Sequence, residues 1–296
     1  MDMKIQSLSI VVPNKECINK CPFCVSRMVN SNTYPNLMDI NNEFYDHNVR
    51  EYLKCMRYVA DSGCHTAMLT GTSEPQQNKQ FLATFALLHA QIGNPFHNIE
   101  MQTTGVMLNT NYLRFLRNFV GVRTMAISVN SIHDEVNMEM LGPSASKVGF
   151  TLKELCKNIK AYNFNLRLCC NLTSKFDEEQ TSFACMFAYF KNDLHADQIT
   201  FREMYVSDES TEQGKWLEEH AYPLEDKARL SYVLKGKKQI GETIYGAPIY
   251  DINGMSVVYD DDCMGKNPKK DAIKYMILRP NCKLYTSWDT TASLVF

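Results

Sequence analysis

Three cysteines near the start of the chain have a spacing that could hold an iron–sulfur cluster. Cys17, Cys21 and Cys24 lie four and three residues apart. Three thiolates at these offsets can surround one face of a [4Fe–4S] cubane and ligate three of its irons, so the fourth iron has no protein ligand. Four cysteine ligands would make an electron carrier, whereas three leave a coordination position free. The spacing therefore predicts a cluster whose open iron is the reactive point.

Zinc binding and packing of free thiols are the two other interpretations of these cysteines. Structural zinc usually takes four ligands in two separated pairs, and the sequence has no second CxxC and no HxxxH to complete such a set. Pro22 and Phe23 stand between the second and third cysteines, in a segment that reads as a loop between a strand and a helix, which argues against a purely packing role. Cluster ligation is the interpretation that we favour.

The elements that must position these cysteines are those of an α/β protein. The apolar run SLSIVVP leads directly into the cysteine segment, and ligands collect at the carboxyl ends of strands in parallel α/β sheets and barrels. Similar short β-rich runs recur along the chain and alternate with helical patterns. The predicted strands are Ser7–Pro13, Thr66–Thr70, Ile99–Thr103, Thr124–Val129, Leu166–Leu172 and Gln198–Met204.

Apolar stripes at helical spacing lie between these strands, and we interpret them as core. They are Tyr52, Met56 and Val59; Phe81, Phe85 and Leu88; Leu113, Leu116 and Phe119; and Leu152, Leu155 and Ile159. After residue 205 the pattern changes to an acidic stretch, one helix near Glu225–Leu234 and two hairpins, which turn at Asn253-Gly254 and Pro280-Asn281. The sequence therefore predicts a β-containing extension over residues 206–296.

Composition and charge narrow the function. The 296 residues are 45% hydrophobic and 22% charged, which are ordinary values for a globular protein. The net charge is −2 and the basic residues are spread along the chain, so no extended nucleic-acid surface is indicated and a small or peptidic substrate fits better. No apolar run approaches the roughly 18 residues of a membrane span. Eleven cysteines without a signal peptide indicate reduced thiols and a cytoplasmic location.

The segment CINKCPFC resembles the CxxxCxxC signature of radical S-adenosylmethionine (SAM) enzymes, and Phe23 matches the aromatic residue before the third cysteine. The resemblance extends over about residues 7–205. It implies a partial (β/α)6 TIM-like barrel over residues 1–205 with one cluster at its open end, closed on one side by residues 206–296. It also implies an oxygen-sensitive [4Fe–4S] cluster, SAM, and an external electron donor of the flavodoxin or ferredoxin type.

In that superfamily the amine and carboxylate of SAM chelate the open iron. An electron from the reduced cluster cleaves a C–S bond of SAM, and the resulting 5′-deoxyadenosyl radical abstracts a hydrogen atom from the substrate. The second strand ends in AMLTGTSEP, which is similar to the family's GGEP segment that receives the methionyl ammonium group. The residues that this similarity places at SAM are Gly71, Thr72, Ser73 and Glu74, with Thr-Ser standing where a second glycine is usual.

Later strand ends carry polar residues at positions where family members contact SAM. The resemblance places Ser128, Asn171 and Arg202 near its ribose, adenine or carboxylate, and Phe23 beside the cofactors. Side chains alternate along a strand, so Arg202 and its neighbour Glu203 cannot both face the interior, and we expect Arg202 to do so because it could pair with a carboxylate.

Two functions follow from this pattern. The first is a radical SAM enzyme that abstracts hydrogen from a small-molecule, nucleotide or peptide substrate. The second is a non-enzymatic iron–sulfur or metal-binding protein for sensing or electron transfer. Cys263 and Cys282 stand isolated in the extension, and we interpret them as structural thiols rather than as ligands of an auxiliary cluster.

Overall fold

The computed structural model describes residues 3–28, 42–177, 181–267, 269 and 271–296. In this part of the chain the strands are β1 (Lys4–Val11), β2 (Thr66–Thr70), β3 (Asn98–Thr103), β4 (Thr124–Val129), β5 (Asn165–Leu172), β6 (Gln198–Glu203), β7 (Lys238–Glu242), β8 (Pro248–Ile252), β9 (Met255–Asp260), β10 (Ala272–Leu278) and β11 (Leu284–Tyr285). They form a single sheet in the order β11-β10-β1-β2-β3-β4-β5-β6-β9-β8-β7.

Helices connect the strands and cover the sheet. They are α1 (Val25–Met28), α2 (Asn42–His47), α3 (Val49–Asp61), α4 (Lys79–Gln91), α5 (Thr110–Phe115), α6 (Asp134–Leu141), α7 (Pro143–Val148), α8 (Leu152–Ala161), α9 (Phe183–Ala188), α10 (Glu212–Glu219) and α11 (Leu224–Lys235). Helices α5 and α9 continue as short π-helical segments, Leu116–Val120 and Tyr189–Asp193.

The six predicted strands are confirmed as β1 to β6, which pair in parallel in chain order. The first of them begins at Lys4 and ends at Val11, whereas the sequence predicted Ser7–Pro13. This arrangement is the predicted α/β fold with a partial barrel, and the sheet is not closed, because β11 and β7 form its two edges. The cysteine segment follows the carboxyl end of β1.

Two further strands from residues 206–296 extend the parallel sheet. Strand β9 pairs in parallel with β6, and β10 pairs in parallel with β1. The predicted hairpins are present as β8–β9 and β10–β11. Their sequences did not show that one strand of each hairpin joins an edge of the barrel sheet. The division at residue 205 stays a prediction, although its two sides share one sheet.

The parallel sheet curls so that its first and last parallel strands approach each other. Lys274 on β10 and Asp260 on β9 form an ion pair with a distance of 2.7 Å between Nζ and Oδ1. The Lys274 ammonium also donates to the main-chain carbonyl of Asp262, 2.5 Å away. These contacts cross the opening of the barrel without hydrogen-bonding the two strands.

The main core lies between the helices and the outer face of the sheet. All of the predicted apolar stripes contribute to it except at one position, because Phe119 is 51% exposed. Val120 is buried instead, because it lies seven residues after Leu113 and therefore on the same face of the helix. Within the described ranges, no helix is both long and apolar enough to cross a membrane.

Candidate active site

The three cysteines of the signature lie in one loop between β1 and α1. The Cys24 N–H donates to the Cys21 carbonyl at 3.3 Å, and the Arg27 N–H donates to the Cys24 carbonyl at 2.9 Å, so the loop turns directly into α1. All three thiols are free. Burial raises the pKa of the Cys17 and Cys21 thiols, which means that a cation must replace the proton before either sulfur becomes a thiolate ligand.

Side chains that follow β2 fix one side of this loop. The Gln77 amide makes two bonds to it: Oε1 accepts from the Ile18 N–H at 2.8 Å, and Nε2 donates to the Glu16 carbonyl at 2.8 Å. The Asn78 amide donates to the Pro13 carbonyl at 2.7 Å. These bonds satisfy main-chain groups of an irregular loop that has no secondary structure to satisfy them. The segment after β2 therefore sets the path of the cysteine loop.

The corner between α6 and α7 fixes the other side of the loop. The Lys20 N–H donates to the Leu141 carbonyl at 3.0 Å, and the Ser144 hydroxyl donates to the Ile18 carbonyl at 3.0 Å. Gly142 lies between these two contacts with φ at +89°, and a Cβ there would stand 3.2 Å from Lys20 Cβ. Glycine at this corner permits both the left-handed backbone and the close approach of the loop.

Glu74 is buried, and its carboxylate binds the protein itself. It accepts from the Thr103 hydroxyl, from the Thr104 N–H at 3.1 Å and from the Thr104 hydroxyl at 2.8 Å. The Thr104 Oγ in turn accepts from the Asn19 amide at 3.0 Å, which links the carboxylate to the cysteine loop. Burial raises the pKa of Glu74 despite these donors. The side chain that was expected to face an ammonium group thus supports the loop.

A cavity of about 290 Å³ opens at the carboxyl ends of the strands, beside the cysteine loop. Most of the predicted site residues line it together: Cys21, Phe23, Cys24, Gly71, Thr72, Ser128, Asn171 and Arg202. Cys17, Ser73 and Glu74 are not part of its lining. The structure therefore brings the strand-end residues to one place, and their contacts with SAM stay predictions.

Gly71 brings the end of β2 close to the end of β1. A Cβ at this position would stand 3.0 Å from the Val12 carbonyl oxygen, which is tighter than most real Cβ contacts. The same segment exposes Gly71 and Thr72 to the cavity, while the Ser73 hydroxyl is buried without a partner. A side chain at residue 71 would push apart the strand ends that carry the cysteine loop and the cavity wall.

Arg202 lies on the inner face of the barrel and Glu203 on the outer face, where the Glu203 carboxylate binds Lys227 and Tyr259. The Arg202 guanidinium donates to the Cys169 sulfur at 3.9 Å, and its Nε is buried without a partner. Asn171 lies opposite Arg202 in the β5–β6 register. Arg202 therefore keeps hydrogen-bonding capacity for a ligand in the cavity.

The lining includes residues that the sequence analysis did not select. They include Ser9 on β1, Gln102 on β3 and a group from the last third of the chain: Cys263, Met264, Tyr275 and Arg279. The lining holds two arginines and no aspartate or glutamate. The rule that ligands collect at strand ends would have selected Arg279, which directly follows an apolar strand, had the sequence shown that β10 is parallel to β1.

Cys263 and Cys282 have different surroundings. Cys282 is 6% exposed and packs in the main core, where its carbonyl accepts from the Cys55 thiol at 3.3 Å. Cys263 lines the cavity with Cys21 and Cys24, and burial raises its thiol pKa to about 11. Cys282 therefore has the surroundings of a packed structural thiol, whereas the structural role of Cys263 stays a prediction.

A larger cavity, of about 830 Å³, continues into the barrel interior and opens to its side. It shares Met68, Gln102, Arg202 and Tyr275 with the cavity at the strand ends. Arg167 on β5 lines this cavity and pairs with the buried Glu100 on β3 at 2.6 Å. The two cavities therefore share part of their walls.

The donor set fits the two cofactors that the cysteine signature implies. Three thiols of one loop stand next to a cavity that contains buried polar atoms without partners, the Ser9 hydroxyl and the Arg202 Nε. Among the described residues, no three His, Cys, Asp or Glu side chains are arranged to hold a single metal ion. A [4Fe–4S] cluster does not require three ligands around one ion, because each cysteine thiolate ligates a different iron.

Comparison with known proteins identifies the family. A sequence model described as the radical SAM superfamily matches residues 11–172, which include the last residue of β1, the cysteine loop and strands β2 to β5. The chain therefore belongs to the radical SAM superfamily. Membership makes it a SAM-dependent radical enzyme in general terms, with a [4Fe–4S] cluster and SAM as cofactors, and such enzymes need a reductant and a substrate.

Solved structures share the fold at low sequence identity. The chain is similar to native anSMEcpe with bound AdoMet, with a TM-score of 0.54, 15% identity, and coverage of 97% of this chain and 75% of that chain. It is also similar to HydG, a maturase of the [FeFe]-hydrogenase, with a TM-score of 0.50, 11% identity, and coverage of 76% and 47%. No curated protein sequence matches the chain.

Proposed function

We propose that this chain is a radical SAM enzyme that abstracts a hydrogen atom from a small-molecule, nucleotide or peptide substrate, with Cys17, Cys21 and Cys24 as the cluster ligands. The observation that carries the proposal is the cysteine loop, which is held on two sides and opens onto a cavity lined by the predicted strand-end residues. When bound, the cluster and SAM supply a carbon-centred radical that removes hydrogen from the substrate.

The chain's own residues position the cofactors. The Glu74 carboxylate already binds Thr103 and Thr104. We therefore assign the ammonium group of SAM to the main-chain carbonyls of Gly71 and Thr72, two residues that line the cavity. Ser128, Asn171 and Arg202 supply hydroxyl, amide and guanidinium groups for its carboxylate and ribose.

Phe23 covers the cluster side of the cavity. It packs against Trp216 of α10, with ring centroids 6.0 Å apart, and belongs to a small apolar cluster with Met28, Met140 and Leu217. This apolar cover excludes water from the place where a radical must survive. It also joins α10, from the last third of the chain, to the cysteine loop.

The cellular setting forms part of the proposal. An external flavodoxin- or ferredoxin-type protein would supply the electron, and a reducing cytoplasm would keep the cluster ligands available. All eleven cysteines of the chain are free thiols, which supports a reduced environment.

Anaerobic reconstitution with iron and sulfide tests the proposal. We expect broad absorbance near roughly 400 nm from thiolate-to-iron charge transfer, and 5′-deoxyadenosine after addition of SAM and dithionite. Cys17→Ala, Cys21→Ala and Cys24→Ala should each lose both signals. Cys185→Ala is the matched control, because Cys185 is exposed on α9, and it should keep both.

The same experiment separates enzyme from electron carrier. If the reduced cluster forms but its electron paramagnetic resonance spectrum does not change with SAM, and no 5′-deoxyadenosine appears, the protein is a non-enzymatic iron–sulfur protein. If the three alanine variants keep the cluster, the ligand assignment is wrong.

A further inference from the structure

Arg279 occupies a position at the active-site end of the sheet that the cysteine signature does not explain. Leu278, the last residue of β10, pairs with Ile10, so Arg279 stands beside the end of β1, where the cysteine loop begins. Its side chain is 1% exposed and lines the same cavity as Cys21 and Cys24. It is therefore a buried cation at the mouth of the barrel.

The contacts of Arg279 orient its guanidinium without neutralising it. Nη2 donates to the main-chain carbonyl of Trp288 at 2.6 Å, and the guanidinium carbon lies 5.3 Å from the Tyr285 ring centroid and 5.8 Å from that of Trp288. Its Nε is buried without a partner. No carboxylate in the described ranges lies within ion-pair distance of it.

Two other cations of the barrel interior, unlike Arg202 and Arg279, have carboxylate partners among the described residues. Arg167 pairs with Glu100 at 2.6 Å, and Lys274 pairs with Asp260 at 2.7 Å. A buried charge without a partner destabilises the folded protein. An unpaired guanidinium that faces a cavity therefore indicates that an anionic ligand binds there. Burial lowers the pKa of Arg279 even though the nearby Asp289 carboxylate, which is itself paired with Lys266, acts to raise it.

The cavity also contains the guanidinium of Arg202, and this second cation gives SAM a partner other than Arg279. Arg202 on β6 lies with Ser128 and Asn171 on the strands that the superfamily resemblance assigns to SAM, and it is available for the single carboxylate of that cofactor. Arg279 directly follows β10, on the other side of β1, and lines the cavity with Cys263, Tyr275 and Trp288 of the last third of the chain. A second guanidinium is thus left for a second anion.

We propose that Arg279 is the anion-binding residue of a substrate subsite, and that the substrate carries a carboxylate or phosphate group. The proposal rests on the proposed function, and it narrows the substrate class. The planar guanidinium, held by the Trp288 carbonyl at one nitrogen, keeps Nε and its remaining N–H groups for bidentate contact with an oxyanion.

Titration of the anaerobic holoenzyme with simple anions tests this site. With SAM present to occupy its own carboxylate contact, inorganic phosphate and succinate are added separately, and binding is followed by calorimetry and by the thermal unfolding midpoint. At least one anion should raise the wild-type midpoint in a concentration-dependent way, and the two series distinguish phosphate from carboxylate. Arg279→Met should weaken that binding at least tenfold, and Arg279→Lys should weaken it less.

The controls separate binding from folding. Arg229 is an exposed arginine of α11 paired with Asp226, so Arg229→Met should keep the anion response. Without added anion, Arg279→Met should unfold at the wild-type temperature or above, because an unpaired buried charge has been removed. A lower midpoint together with an unchanged anion response would show a structural role and overturn the proposal, as would a wild-type protein that binds neither anion. Neither readout requires SAM cleavage, so failure of the proposed enzyme activity remains distinguishable.

Discussion

Replacing Gln77 by alanine should loosen the cysteine loop while leaving every thiol in place. Gln77 is the side chain that bonds the loop twice, at the Ile18 N–H and the Glu16 carbonyl, each at 2.8 Å. Alanine removes both bonds and adds no charge or bulk. Because the residue acts on the loop and not on the irons, we regard it as a positioning residue for the cluster.

The size of the effect follows from the two bonds. The bond to Ile18 is partly buried and contributes about 1 kcal/mol, while the exposed bond to Glu16 contributes less, about 0.5 kcal/mol. Their sum of about 1.5 kcal/mol corresponds to about a tenfold change in an equilibrium constant, at about 1.4 kcal/mol per factor of ten. We therefore expect the cluster to bind the Gln77→Ala variant about tenfold more weakly.

The assay is cluster loss to a ferrous chelator under anaerobic conditions, followed by the decay of the charge-transfer absorbance. Gln77→Ala should lose its cluster about tenfold faster than the wild type, because the loop opens more often. Gln239→Ala is the matched control, since the Gln239 amide is exposed and bonds only within and beside β7. Equal cluster lifetimes in Gln77→Ala and wild-type protein, or equal lability in the control, would refute the reasoning.

Two predictions concern stability. Glu74→Ala removes the buried acceptor of three hydrogen bonds from Thr103 and Thr104, and since each stranded buried donor costs about 1–3 kcal/mol, urea unfolding should show a loss of about 3 kcal/mol or more, partly restored in Glu74→Gln. If Glu74 serves only SAM, the free energy of unfolding without SAM will not change. Burial between Phe85 and Phe96 lowers the pKa of His89 from 6.5 to about 4. As the pH falls below 6.5, His89 is protonated in the unfolded chain but stays neutral in the folded protein. The free energy of unfolding is therefore highest above pH 6.5 and falls by about 3 kcal/mol toward pH 4. His89→Gln, which keeps an acceptor for the Phe96 N–H, should flatten this part of the pH profile; an unchanged profile would assign it to other groups.

The sequence was sufficient to predict those elements of the structure that a local pattern determines. Apolar β-rich runs identified β1 to β6, because a strand covered on both faces needs little else to be recognised. The Asn253-Gly254 pair identified the β8–β9 hairpin, where both residues take positive φ values. The cysteine spacing was similarly local, since all three thiols belong to one loop.

The sequence was insufficient where distant segments meet. Both pairings join residues that are far apart in the chain: Ser256 of β9 pairs with Gln198, 58 residues earlier, and Ala272 of β10 pairs with Lys4, 268 residues earlier. No local signal specifies such pairing. Cys263 and Arg279 reach the cavity only through that pairing, so neither stood out. Gln77 escaped notice for a related reason: a polar residue in a turn shows its role only when its main-chain partners are known.

The two groups of cavity residues explain why the sequence identified the family and did not identify the substrate. The segment that matches the superfamily, residues 11–172, carries the cysteine loop and the ends of β1 to β5. The cavity residues from the last third of the chain, Cys263, Tyr275, Arg279 and Trp288, lie outside that match. If radical formation depends on the first group and substrate recognition on the second, substitutions in the two groups should affect different measurements. Arg279 offers the sharpest case, because its buried Nε has no hydrogen-bond partner in the described ranges and the anion subsite that we propose there can be tested without SAM cleavage.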